Sequence, residues 1–112
     1  MGVIYHLVQD GYLQSQPPDR PYTPAGFARE GFIHCTRGED QLIVVANRYY
    51  RSETDVLRVL VIDEAAVDPE VKYEPGGDGV LYPHIYGPLN RSAIVQVRSL
   101  LRQPDGSFGA LA

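Results

Sequence analysis

Three histidines hold most of the chemistry this sequence can offer. His6 stands in Tyr5-His6-Leu7, His34 in Ile33-His34-Cys35 and His84 in Pro83-His84-Ile85. Each ring is set into an apolar, strand-like run, where a polar group needs a hydrogen-bonding reason to be. Imidazole changes charge near neutrality, so it can act as general acid, general base or anion contact. Taken singly, each histidine reads as a half-buried strand residue satisfied by backbone or tyrosine. The recurrence in all three favours one shared cleft.

Three imidazoles plus water make a known catalytic zinc arrangement. The spacing here gives it no support. There is no His-x-His or His-x-x-x-His pair, and His34 and Cys35, adjacent on a strand, point to opposite faces. No metal is expected. The same geometry denies Cys35 its base, so it reads as a small packing residue. Gly76, Gly77 and Gly79 are followed by no Lys-Ser/Thr and form no phosphate loop; they read as a hairpin or a mobile lid. Tyr5, Tyr82 and Tyr86 lie near the histidines in sequence, and a phenol offers a flat face for stacking a base or nicotinamide ring. Core packing accounts for them equally well. Asn47 sits mid-helix among apolar neighbours, a poor position for asparagine, which suggests a buried partner near the His34 strand. A solvated side chain at the edge of the apolar face is the alternative.

The elements that must position these residues follow from pattern. Val3 to Val8 reads as a strand holding His6, and Gln9 to Gln16 as a short helical turn. Four prolines make Gln16 to Pro24 a loop. Thr23 before Pro24 opens one or two helical turns that end at Gly31. Phe32, Ile33 and Cys35 form a short strand carrying His34. Thr36-x-x-Glu39 predicts a capping box, and Leu42, Val45, Ala46 and Tyr49 give the following helix one apolar face. Amides at that helix start, with Arg37 beside them, are the expected donors to an anion, although Glu39 and Asp40 oppose it. Val56 to Ile62 reads as a central strand, and Val71 to Glu74 as another. Pro83 and Pro88 predict an edge strand or extended loop over 81–90. Ala93 to Arg102 reads as a strand, and the tail from Ser107 as loosely held.

A chain of 112 residues fits one domain, with no repeat or linker to mark a second. Hydrophobic content of 44% and charged content of 21% are those of a globular protein. The net charge of −4 argues against general nucleic-acid binding and against acidic membranes. No run approaches a transmembrane span and no signal peptide is evident. The lone Cys35 forms no internal disulfide, and the cytoplasm of a microbial cell is the expected setting.

Ile4-Tyr5-His6, Glu30 to Thr36, Val45-Ala46-Asn47, Leu60 to Asp63, Glu74 and Pro83 to Asn90 together resemble the bacterial family catalogued as domain of unknown function 952. The resemblance spans nearly the whole chain. It implies an ADP-ribosyltransferase-like fold, a split, mostly antiparallel sheet with one main helix, distantly akin to RNA 2′-phosphotransferases. It implies that His6 holds a ribose of NAD and that His34 faces the nicotinamide side. Glu74 then stands for the acid that transferases carry on a later strand. Pro75-Gly76-Gly77 departs from the usual acidic motif there, which weighs against transferase catalysis and leaves nucleotide binding standing.

The expectation is therefore a single α+β domain over residues 1–112, with a histidine-lined pocket for NAD or an ADP-ribose-like ligand and ADP-ribosyl or phosphoryl transfer chemistry. His6, His34 and Glu74 are the expected catalytic residues. His84, Asn47, Tyr86, Arg37 and Asn90 are the expected ligand contacts. A noncatalytic small-molecule or protein-binding module is the competing reading.

Overall fold

A computed structural model describes residues 2–112. Strand β1 (Val3–Gln9) alternates Ile4 and Val8 on one face with Tyr5 and Leu7 on the other, and all four are buried. Strand β3 (Leu57–Asp63) does the same, with Leu60 and Ile62 against Leu57, Val59 and Val61. Both faces of this sheet are therefore covered, which is why both strands read as nearly unbroken apolar runs. Strands β6 (Ile94–Arg102) and β7 (Phe108–Leu111) complete an antiparallel sheet in the order β1-β3-β6-β7.

Helix α3 (Glu39–Tyr49) closes one face of that sheet with Leu42 and Ala46. A second antiparallel sheet closes the other. It is built from β2 (Ile33–His34), β5 (Leu81–Tyr86) and β4 (Glu70–Pro75) in the order β2-β5-β4. Its inner side chains, Ile33 and Ile85, meet Ile4, Tyr22, Leu60 and Leu89 in the core between the sheets. Short helices α1 (Asp10–Ser15) and α2 (Phe27–Glu30) lie between β1 and β2 in the chain. The domain is α+β, with antiparallel sheets and one main helix. No helix among the described residues is long and apolar enough to cross a membrane.

The segment just after β2 is stitched to β1. Tyr5 and Thr36 exchange both backbone hydrogen bonds at 2.8 Å. Thr36 is thereby committed to pairing with β1, and the expected capping box does not form. The chain instead turns through Gly38, whose φ of +89° is the left-handed region that glycine enters freely, and Gly38 is the N-cap. Glu39 reaches Arg98 at 3.3 Å rather than back to Thr36. The N-cap of α2 is Gly26, not Thr23.

Two further expectations are corrected. Strand β5 is the central strand of its sheet despite Pro83. The Pro83 carbonyl accepts from the Cys35 amide at 3.0 Å, so its donor-less nitrogen faces the point where β2 ends and leaves the β4 ladder intact. The tail from Ser107 is not loose, because Phe108 is buried in the core beneath α3 and β7 pairs with β6.

Candidate functional site

Register decides how the histidines meet. His34 of β2 lies directly opposite His84 of β5, so both rings rise from the same face, away from Ile33 and Ile85. Their centroids are 5.3 Å apart, edge to face. Phe32 stacks on His84 at 4.2 Å and tilts against His34 at 4.7 Å, fixing both.

Each of these rings is held by a carboxylate. His34 Nε2 lies 2.7 Å from Glu30 Oε2, and His84 Nδ1 lies 2.7 Å from Glu74 Oε1. A carboxylate can only accept, so those two nitrogens carry the protons. In the neutral rings, His34 Nδ1 and His84 Nε2 are then the basic atoms left free. Tyr86 donates to the same Glu74 oxygen at 2.5 Å. The hydrogen bond from Tyr86, and then that from His84, hold the Glu74 carboxyl below the usual range. The bond from His34 does the same for Glu30.

His6 is different. It is buried in β1, and its Nδ1 donates to the His34 carbonyl at 2.6 Å. Its Nε2 accepts from the buried Tyr22 hydroxyl at 2.8 Å. Burial lowers its pKa to about 4, so the ring is neutral at pH 7. Burial likewise raises the pKa of Tyr22 and keeps it a donor. His6 is a strut between β1 and β2 that sets the backbone of His34.

These groups line a cleft of two adjoining lobes. The larger, about 660 Å³, is walled by Glu30, His34, His84, Tyr49, Tyr50 and Tyr82, with the Gly76–Asp78 turn as one rim. The smaller, about 250 Å³, is lined by His6, Tyr12, Tyr22, Arg29, Glu30 and His34 among others. Glu30, His34, Thr36, Val45 and Tyr50 belong to both. His34 and His84 thus border the larger lobe and His6 and His34 the smaller, with His34 common to both. The volume of the larger lobe lies in the range of small-molecule sites. Asp78 anchors the rim: it accepts from Tyr82 at 2.5 Å and from Arg48 at 2.9 Å. The Tyr82 bond is the main reason its pKa falls to about 2. Gln41 of α3 also donates to the Tyr82 hydroxyl, at 2.9 Å.

The structure places other expected contacts elsewhere. Asn47 points to β7: its Oδ1 accepts from the Phe108 amide at 2.7 Å and its Nδ2 donates to the Phe108 carbonyl at 2.9 Å. It does have a buried backbone partner, but not near His34. Arg37 is outside both lobes, donating to the Tyr73 hydroxyl at 3.2 Å beside Glu64. Asn90 closes a loop, accepting from the Asp68 amide and donating to the Ala66 carbonyl, both at 2.9 Å. Glu74 and Tyr86 stand behind His84 and orient it without lining either lobe.

Sequence reasoning passed over Glu30, Phe32, Arg29, Tyr22 and Asp78. Glu30 had a local signal, an acid four residues before a histidine across Gly31, whose left-handed turn brings the two together. Tyr22 had none, because its partner His6 comes from a distant strand.

The family model described as "Protein of unknown function (DUF952)" matches residues 8–97. No curated protein matches the chain. Among solved structures, a crystal structure of protein CC0527 from Caulobacter crescentus is similar, with 23% identity, coverage of 96% of this chain and 93% of that one, and a TM-score of 0.82. A crystal structure of a methionine double mutant of CC0527 has the same identity and coverage, with a TM-score of 0.81. The solution NMR structure of CC0527 gives 24% identity, coverage of 96% and 91%, and a TM-score of 0.75. At these identities the likeness is one of fold.

Proposed function

The chain belongs to the DUF952 family, proteins of unknown function, and from the geometry of its cleft we propose that it binds NAD or an ADP-ribose-like ligand and acts on the ribose. The observation that supports this most is the convergence of His34 and His84, each held by a carboxylate, on a lobe of about 660 Å³. An ADP-ribosyltransferase-like arrangement of the two antiparallel sheets is part of the same reading. So is a cytoplasmic setting, in which the unpaired thiol of Cys35 is at home.

In the proposed reaction the bond between nicotinamide nitrogen and ribose C1′ breaks, and its electron pair leaves with the neutral nicotinamide. Positive charge develops on the ribose, as in other oxocarbenium-like transition states, and Glu30 is the carboxylate at hand to stabilise it. An acceptor hydroxyl forms the new bond to C1′ and gives its proton to the free nitrogen of His34 or His84. His6 positions His34, and Glu74 positions His84.

One observation favours a second reading, a noncatalytic binding module. Arg29 is the only lysine or arginine lining either lobe among the described residues, a thin provision for two phosphates. Calorimetric titration with NAD and ADP-ribose tests binding. We expect weak, saturable heat that His34→Ala removes and that Arg37→Ala leaves unchanged. Absence of heat at millimolar ligand rejects the nucleotide reading. Nicotinamide release on incubation with NAD separates catalysis from binding alone.

A further inference from the structure

We propose that the larger lobe selects a positively charged heteroaromatic ring and that Arg29, in the smaller lobe, receives the anionic part of the same ligand. Naming the ring as the pyridinium of oxidised NAD rests on the proposed function. The preference for positive charge rests on the lobe itself.

The charged groups of the larger lobe are unequal. It is lined by Glu30 and Asp78 and by no lysine or arginine. Asp78 is neutralised from outside by Arg48 at 2.9 Å, with the Tyr82 hydroxyl on the same oxygen. Glu30 forms no ion pair with a lysine or arginine among the described residues, although the charge of Arg29 helps to keep its carboxyl low. Its hydrogen-bond partner is the Nε2 proton of His34. That hydrogen bond also keeps Glu30 ionised at neutral pH.

Tyr49, Tyr50 and Tyr82 line the same lobe, the Tyr49 ring with the Arg48 guanidinium 5.9 Å from its centroid. A ring bearing positive charge gains from a tyrosine face and from Glu30 together; a neutral ring of the same shape gains only the stacking. Arg29 lines the smaller lobe and not the larger, so the one arginine of the cleft stands at one end, beside the Glu30 shared by both lobes. A ligand with a cationic ring at one end and phosphates at the other fits in one direction only.

The test uses two small rings that differ in one methyl group and one charge, 1-methylnicotinamide and nicotinamide. Each is titrated against the full chain by tyrosine fluorescence and by calorimetry. The cation should bind about fivefold or more tightly than the neutral ring, a difference typical of a ring–cation contact. Glu30→Gln, at an exposed position, should reduce that preference to about twofold or less while its urea midpoint shows the chain still folded. Arg29→Ala should weaken ADP-ribose and leave 1-methylnicotinamide unaffected. Equal affinities for the two rings, no saturable binding of the cation, or an undiminished preference in Glu30→Gln overturns the inference. Selective binding of the cation with no binding of NAD or ADP-ribose discards the nucleotide reading and keeps the charge preference. Binding of NAD without discrimination between the small rings does the reverse.

Discussion

His6 is held at both ring nitrogens, by the His34 carbonyl and the Tyr22 hydroxyl, and so ties β1 to β2. Neither partner is near in sequence, so a contact to ligand and an internal strut looked alike. The strut has a pH signature. Its pKa is lowered from 6.5 to about 4 by burial. As pH falls through this window the unfolded chain takes up a proton that the folded chain refuses, so stability falls. Above the window the ring is neutral in both states, and below it both are protonated. The loss amounts to roughly 3 kcal/mol at most. Glu30 and Glu74 contribute in a lower window, because their depressed values make stability present above the ordinary carboxylate range and lost below it. Urea unfolding at a series of pH values, with NMR titration of the His6 ring protons, checks this. A His6 midpoint near neutrality would count against it.

At the level of elements, most strands and the main helix were legible because each obeys its own period. What escaped was the use made of end residues. Thr36-x-x-Glu39 has the letters of a capping box, yet Thr36 is taken by Tyr5 of another strand. Pro83 reads as an edge marker, yet β5 is central because β2 stops where the missing N–H would be needed. Asn47, mid-helix, needs a partner, and that partner is a strand that the tail composition conceals. Its two bonds to Phe108 clamp β7 to α3. Asn47→Ala leaves the Phe108 amide and carbonyl half-buried and unpaired, so stability should drop by about 1–3 kcal/mol, with faster exchange of the Phe108 amide. An unchanged denaturant midpoint would refute the clamp. The β4–β5 turn offers another test. A Cβ on Gly76 would sit 2.6 Å from the Tyr82 ring, so Gly76→Ala must displace the ring that Gln41 and Asp78 hold. We expect a loss of about 1 kcal/mol and weaker binding in the larger lobe. Wild-type stability and affinity in this variant would show the rim to be dispensable.

The whole molecule is a four-stranded sheet covered by a helix on one side and by a smaller sheet on the other, with the cleft where those coverings meet. Composition and strand pattern made the single α+β domain readable. The meeting of β2 with β5 and of Thr36 with Tyr5 was not, since pairing between distant segments leaves no local trace. That meeting also makes Glu30 and His34 a wall shared by both lobes. Two fragments, one in each lobe, would lean on the same dyad from opposite sides. Whatever factor the first imposes on the affinity of the second, the second must return to the first. A tether between them turns that mutual influence into effective concentration. The dyad would thus make cooperativity between the halves of a ligand a property of one hydrogen bond.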